Sequence, residues 1–213
     1  PITAGKVYYV KAGTGGSDSN SGRSWSKAFA TVQKACDVVE DYDVVYARGA
    51  VSGANYGRLV ESVIPDTTLD SRYVTLIGVG PNARGVGWKS DAAANPCLTL
   101  NQKGWNIRNF FFEAPTGAGA IKAIRDAAGD ASDFTIEDCE FYTGAAGIDL
   151  SGAPHSWHIL RSKFRSITGA ISGYSWVDTG AIICNSTAQA VPLSGEIAYC
   201  WFTDNKHGIV AGM

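Results

Sequence analysis

Several signals are missing from this 213-residue sequence, and each absence closes off a class of protein. There is no basic run, and the net charge is -2, so the electrostatic footprint of a nucleic-acid binder is absent. No stretch reaches the ~20 apolar residues of a membrane-spanning helix, so membrane insertion is not expected. No secretory leader is visible; the chain opens at Pro1 without a methionine, as a processed chain or a fragment would. The cysteines Cys36, Cys97, Cys139, Cys184 and Cys200 form no CxxC pair and no metal-ligand spacing. They read as small buried hydrophobes, which suits assembly in a reducing compartment and is compatible with later storage outside a cell.

What is present suits one domain with a substantial core: 45% of residues are hydrophobic and 25 are glycine. The stretch WNIRNFFF (105–112) would invite aggregation if it lay open. It aligns with FTIEDCEF (134–141), WHILRSKF (157–164) and GEIAYCWF (195–202). Each pairs an isoleucine with a phenylalanine five residues on: Ile107/Phe112, Ile136/Phe141, Ile159/Phe164 and Ile197/Phe202. A further isoleucine follows in each, namely Ile121, Ile148, Ile171 and Ile209, usually after glycine or alanine. The first isoleucines are 29, 23 and 38 residues apart, so the motif is constant and the loops vary.

This pattern predicts two short strands meeting at a two-residue bend (Arg108-Asn109, Glu137-Asp138), then a glycine-rich loop and a third strand. Alternation places Ile107, Phe110 and Phe112 on one side. Three strands per turn, stacked, make a parallel β-helix in which neighbours bury what one rung cannot bury alone. The competing arrangement, β-hairpins in a sandwich, would need Asn-Gly or Asp-Gly turns that do not recur here. Earlier strands, DVVYARG (43–49), YVTLIGVG (73–80) and CLTL (97–100), extend the stack to about six rungs by this reading. Ahead of them, Phe29, Val32, Cys36 and Val39 fall on one face of an amphipathic helix suited to cap the solenoid.

The segment YYV…GSDSNSG…SW…AFATVQKACD resembles the opening of right-handed parallel β-helix proteins of the pectate-lyase-like superfamily, and the IxxxxF rungs are similar to its repeats. The succession GWNIRNFFFEAP, IRDAAG, YTGAAGIDLSG, FRSITGAI and PLSGEIAYCWFTDNKHGI more narrowly resembles β-helix proteins encoded among tailed-phage structural genes. The resemblance implies a right-handed single-stranded parallel β-helix, three short strands per rung, with a short amino-terminal capping helix. Residues 1–42 form the opening strand, loop and cap. Residues 43–213 form the rungs, expected to continue past Met213 or to be covered there by a partner, because a bare rung offers open strand edges.

The superfold hosts lyases, hydrolases, adhesins and virion spikes, so fold does not fix activity. The outward columns by this alignment are Lys122, Asp149, Ser172 and Val210; Asn106, Thr135, His158 and Glu196; and Phe111, Glu140, Lys163 and Trp201. None holds neighbouring carboxylates, the minimum for glycoside hydrolysis, and the superfamily's Gly-His-Gly and Arg-Ile-Lys signatures are missing.

The leading expectation is therefore a non-enzymatic virion structural module: a head-decoration, fibre or spike protein. By resemblance it is trimeric and assembles in the host cytoplasm with other virion proteins; the outward positions of Phe111 and Trp201 make them candidate subunit or partner contacts. The alternative is a secreted polysaccharide lyase or hydrolase using Asp149, Asp178 and Glu196, with the loop between Ile171 and Ile197 walling a groove. A third reading is glycan binding without cleavage.

No cofactor is expected. Asp126, Asp130 and Asp133 in RDAAGDASD are candidate calcium ligands, against the commoner use of Asp in turns. His155 and His158 lack a third metal ligand nearby. Trp88, Trp176 and Trp201 are candidate sugar platforms, whereas Trp105 and Trp157 share the parity of the inward isoleucines.

Overall fold

The computed structural model describes residues 5–13, 15–50, 57–65, 71–80, 86–126, 129–152, 154–169, 180–185 and 194–212. They form a parallel β-helix with three sheets. Sheet 1 has seven strands, stacked as Val7–Lys11, Val44–Arg48, Thr75–Gly78, Asn106–Arg108, Thr135–Glu137, Trp157–Leu160 and Gly195–Ala198. Sheet 2 stacks Arg58–Val60, Val86–Lys89, Phe110–Glu113, Glu140–Tyr142, Lys163–Arg165 and Trp201–Thr203. Sheet 3 stacks Leu98–Leu100, Gly119–Asp126, Ala146–Gly152, Gly180–Asn185 and Ile209–Gly212. The described strands give sheet 1 seven levels, one more than the sequence suggested.

Strand register turns the repeat into columns. In sheet 1, Leu76, Ile107, Ile136, Ile159 and Ile197 stand one above another. In sheet 2 the column is Leu59, Trp88, Phe112, Phe141, Phe164 and Phe202. Its rings stack face to face, with centroids 5.5 Å apart for Trp88 and Phe112, then 5.1, 4.8 and 5.0 Å down to Phe202. These spacings follow from the ~4.8 Å separation of paired strands. All but the last member are fully buried, each contributing ~2–3 kcal/mol from area alone.

Three sequence expectations change. In sheet 3 the column is Leu98, Ile121, Ile148, Ile182 and Ile209, so Ile182 takes the place expected for Ile171, and Ile183 that of Ser172. Ile171 and Ser172 lie outside the described residues. The bend between the first and second strands falls one residue later than expected, at Asn109 alone and then at Asp138-Cys139, Arg161-Ser162 and Tyr199-Cys200, with Asn109, Asp138, Arg161 and Tyr199 in left-handed backbone (φ 61°, 54°, 45° and 56°). A single left-handed residue turns the chain sharply, and Asn and Asp tolerate this best. Asn109 adds a side-chain bond, its Nδ2 donating to the Gly78 carbonyl at 2.6 Å.

The third change concerns the cap. The helix is only Val32–Cys36, and Phe29 lies in an extended segment bridged in parallel to Val10. Thr31 caps the helix, accepting from the Lys34 amide. Val32, Ala35, Cys36 and Val39 are all buried. The apolar face read from the sequence is therefore real, but it is shared between a strand-like segment and one short helix. The opposite end differs: Phe202 and Ile209 are 36% and 50% exposed although their columns point inward.

Candidate functional site

Sheet 2 turns its other parity outward, in two columns. One runs Arg58, Gly87, Phe111, Glu140, Lys163 and Trp201; the other runs Val60, Lys89, Glu113, Tyr142, Arg165 and Thr203. The charges interlock across rungs. Glu113 pairs with Arg58 at 3.1 Å and Lys89 at 3.8 Å, and Arg165 Nε donates to Glu140 at 2.5 Å. The aromatics join this lattice. Phe111 stacks on Tyr142 at 6.1 Å, the Arg165 guanidinium lies 4.5 Å over the Tyr142 ring, and Lys163 sits 6.0 Å over Trp201.

At one margin of this face lies a cleft of about 350 Å³, lined by Lys89, Ser90, Asp91, Glu113, Pro115 and Thr143 among others. Ser62 Oγ donates to Asp91 Oδ1 at 2.5 Å, which fixes that carboxylate on the cleft wall. The cleft was not foreseen from the sequence. Aligning GWK (87–89) with FFE (111–113) would have placed Lys89 beside Glu113, but the Trp88 rung lacks the isoleucine–phenylalanine signature. The face and cleft offer charges of both signs beside aromatic rings, a surface suited to a polar partner with some apolar content.

The contact candidates share one outward column but are not neighbours. Glu140 and Lys163 stand between Phe111 and Trp201, so the two are three rung spacings apart, ~14 Å. Phe111 is half-buried against Tyr142, whereas Trp201 is 61% exposed.

The acid candidates are dispersed. Asp149 sits outward on sheet 3, in register with Lys122 and Ile183, yet is buried, its Oδ1 accepting from the Ser151 amide. Ile183 beside it is also buried, so this stretch of sheet 3 is covered on both faces, which alternation alone could not reveal. Glu196 is exposed on sheet 1, 3.2 Å from His158 Nδ1 on the adjacent strand. Asp178 lies outside the described residues. The structure thus separates Asp149 from Glu196 onto different sheets.

For the calcium candidates, Asp130 Oδ1 accepts from the Ser132 amide, and Asp133 is a left-handed turn residue 3.4 Å from Lys103. The side chain of Asp126 lies outside the described residues. No group of three metal-ligating side chains gathers among the described residues.

Trp88 is not a sugar platform: it is fully buried in the ring stack, its Nε1 donating to the Glu61 carbonyl at 3.0 Å. Trp105 and Trp157 are buried as expected, and Trp176 lies outside the described residues. Cys36, Cys97 and Cys139 are buried, and burial pushes the Cys139 thiol up to about 12, as for an inert packing residue.

No protein-family model and no curated protein matches the chain. Among solved structures, one described as a rhamnogalacturonan lyase is similar at a TM-score of 0.48 and 15% identity, over 98% of this chain. The chain spans 60% of that protein's length. The parallel β-helix assignment rests on the three sheets themselves.

Proposed function

We propose that this chain is a rigid, non-catalytic β-helical module of a tailed-phage virion, acting as a homo-oligomer through the outer face of sheet 2. The observation that carries the non-catalytic part is the dispersal of the acids: Asp149 is buried on sheet 3 and Glu196 pairs with His158 on sheet 1. Rigidity follows from cross-rung ion pairs and a ring column continuous over five levels. The virion assignment draws on the resemblance of the repeat succession to phage structural proteins. Trimeric assembly draws on the same resemblance, with Trp201 as the exposed contact.

Two measurements test this reading. Light scattering of the purified protein should give an oligomer that Trp201→Ala reduces to a monomer. Immunogold labelling of particles from the source culture should mark heads or tails. Label confined to the soluble secreted fraction, or unsaturated or reducing-end products from a polysaccharide panel, would overturn it. A glycan-binding reading draws on the cleft beside Lys89 and Glu113, and predicts glycan-array signal that Glu113→Ala abolishes.

A further inference from the structure

The lower rungs of sheet 1 set opposite charges against one another on the outer face. Arg108 donates to Glu137 at 2.7 Å, Arg161 reaches the same carboxylate, and Glu196 lies 3.2 Å from His158. The amino-terminal corner departs from this pattern. Lys11 and Arg48 are register partners at the ends of Val7–Lys11 and Val44–Arg48 and share the outward parity of Tyr9 and Tyr46. They stand one rung apart, ~4.8 Å along the stack. Like charges set against each other across paired strands are destabilising. Among the described residues no carboxylate pairs with either of them.

The surrounding sequence supplies no counter-charge. Residues 7–17, 44–60 and 75–90 contain neither Asp nor Glu. The next acid after each of these runs is engaged elsewhere. Asp18 accepts from the Ala30 and Thr31 amides, Glu61 from the Val32 and Gln33 amides, and Asp91 from the Ser62 hydroxyl. Arg48 is also held in place. Its guanidinium lies 5.6 Å over the Trp25 ring; Trp25 packs on Tyr9 at 4.9 Å, and Tyr9 on Tyr46 at 5.9 Å. A guanidinium stacked on an aromatic ring keeps its planar fork pre-organised for a carboxylate. The rings thus support the cation, and what the corner presents outward is positive charge.

We infer that this corner, Lys11 and Arg48 on their aromatic support, docks an acidic segment of a partner polypeptide, whose carboxylates supply the counter-charges that this chain omits. Arg48 suits two-point pairing with one carboxylate, and the Lys11 ammonium takes a second. The corner lies on sheet 1 at the capped end, whereas Trp201 lies on the last rung of sheet 2. The inference therefore goes beyond the oligomer contact and fails or holds separately from it.

The test is fluorescence anisotropy of a labelled hexaglutamate peptide titrated with the full chain at low salt. The double variant Lys11→Gln/Arg48→Gln should bind roughly tenfold more weakly, as expected when charge-assisted bonds are lost. Hexaglutamine should not bind. Lys103→Gln, which removes a cation already 3.4 Å from Asp133, should bind as the native chain does. Binding of hexaglutamine equal to that of hexaglutamate, undiminished binding by the double variant, or loss of the oligomer in that variant would each overturn the inference. Tighter binding of hexagalacturonate than of hexaglutamate would overturn it too, by giving the corner to a glycan. Should the double variant not fold, NMR of the native chain decides. Hexaglutamate should shift the Arg48 Nε–H and Trp25 Nε1–H signals ahead of other side-chain N–H signals, and shifts confined to other residues refute the docking corner.

Discussion

The ring column of sheet 2 makes a demand that can be tested at two of its own positions. Phe141 is fully buried between Phe112 at 5.1 Å and Phe164 at 4.8 Å. Phe202 occupies the same column, touches Phe164 at 5.0 Å, and is 36% exposed. Truncating a buried phenylalanine to alanine costs ~3–5 kcal/mol through lost transfer energy and the cavity left behind. Each ring contact adds ~0.5–1.5 kcal/mol beyond area. Phe141→Ala opens a void in a column whose spacing is fixed by the hydrogen bonds between paired strands, so little collapse is available, and it should cost about 4–5 kcal/mol. Phe202→Ala loses one ring contact and part of its burial and leaves no closed cavity, so about 1–2 kcal/mol is expected. Urea unfolding followed by tryptophan fluorescence would read both as midpoint shifts at constant slope. Equal losses, or a larger loss at Phe202, would refute the claim that enclosure within the column sets the cost of truncation.

Three further predictions follow the same logic. Asn109→Ala should lose about 1–2 kcal/mol, from a left-handed residue that alanine tolerates poorly and from the bond to the Gly78 carbonyl, and Asn109→Gly should recover the conformational part in the same denaturation assay. Asp18→Ala should lower thermal stability and specifically speed amide exchange at Ala30 and Thr31, since Asp18 Oδ1 accepts from both amides and Oδ2 from the Thr31 hydroxyl. Trp201→Ala should remove self-association in light scattering and, with the oligomer's contribution gone, make the unfolding midpoint independent of protein concentration; an unchanged oligomer would redirect the search to another face.

The fold was legible wherever the chain repeats an inward pair at fixed spacing. Ile107, Ile136 and Ile159 with Phe112, Phe141 and Phe164 fall on shared columns because each rung must present the same atoms to its neighbours. The third strand was harder. The string Gly-Ala-Ile occurs at 169–171 and again at 180–182, and nothing in one dimension separates them; register puts Ile182 in the column. Trp88 was misplaced for a related reason, since its rung carries leucine and tryptophan where others carry isoleucine and phenylalanine. Asp149 shows a deeper limit. Alternation told correctly which way the side chain points and could not tell that this part of sheet 3 is covered on both faces. The cleft beside Glu113 is a property of adjacent loops, whose proximity follows from rung stacking and from no local motif.

The hydrogen bonds between rungs all run along the length of the solenoid, which gives the molecule a direction-dependent mechanical response. A pull along the axis would be shared by the three sheets at any one level, while successive levels are loaded in series. Extension is then governed by the poorest junction rather than by the sum. Val7–Lys11 and Val44–Arg48 are joined by five registered pairs, but Thr75–Gly78 and Asn106–Arg108 by three. The second junction, however, gains four further pairs in sheet 2 and three in sheet 3, whereas no described strand of either sheet pairs at the level of Val7–Lys11, so a stretched chain would part beneath the cap first.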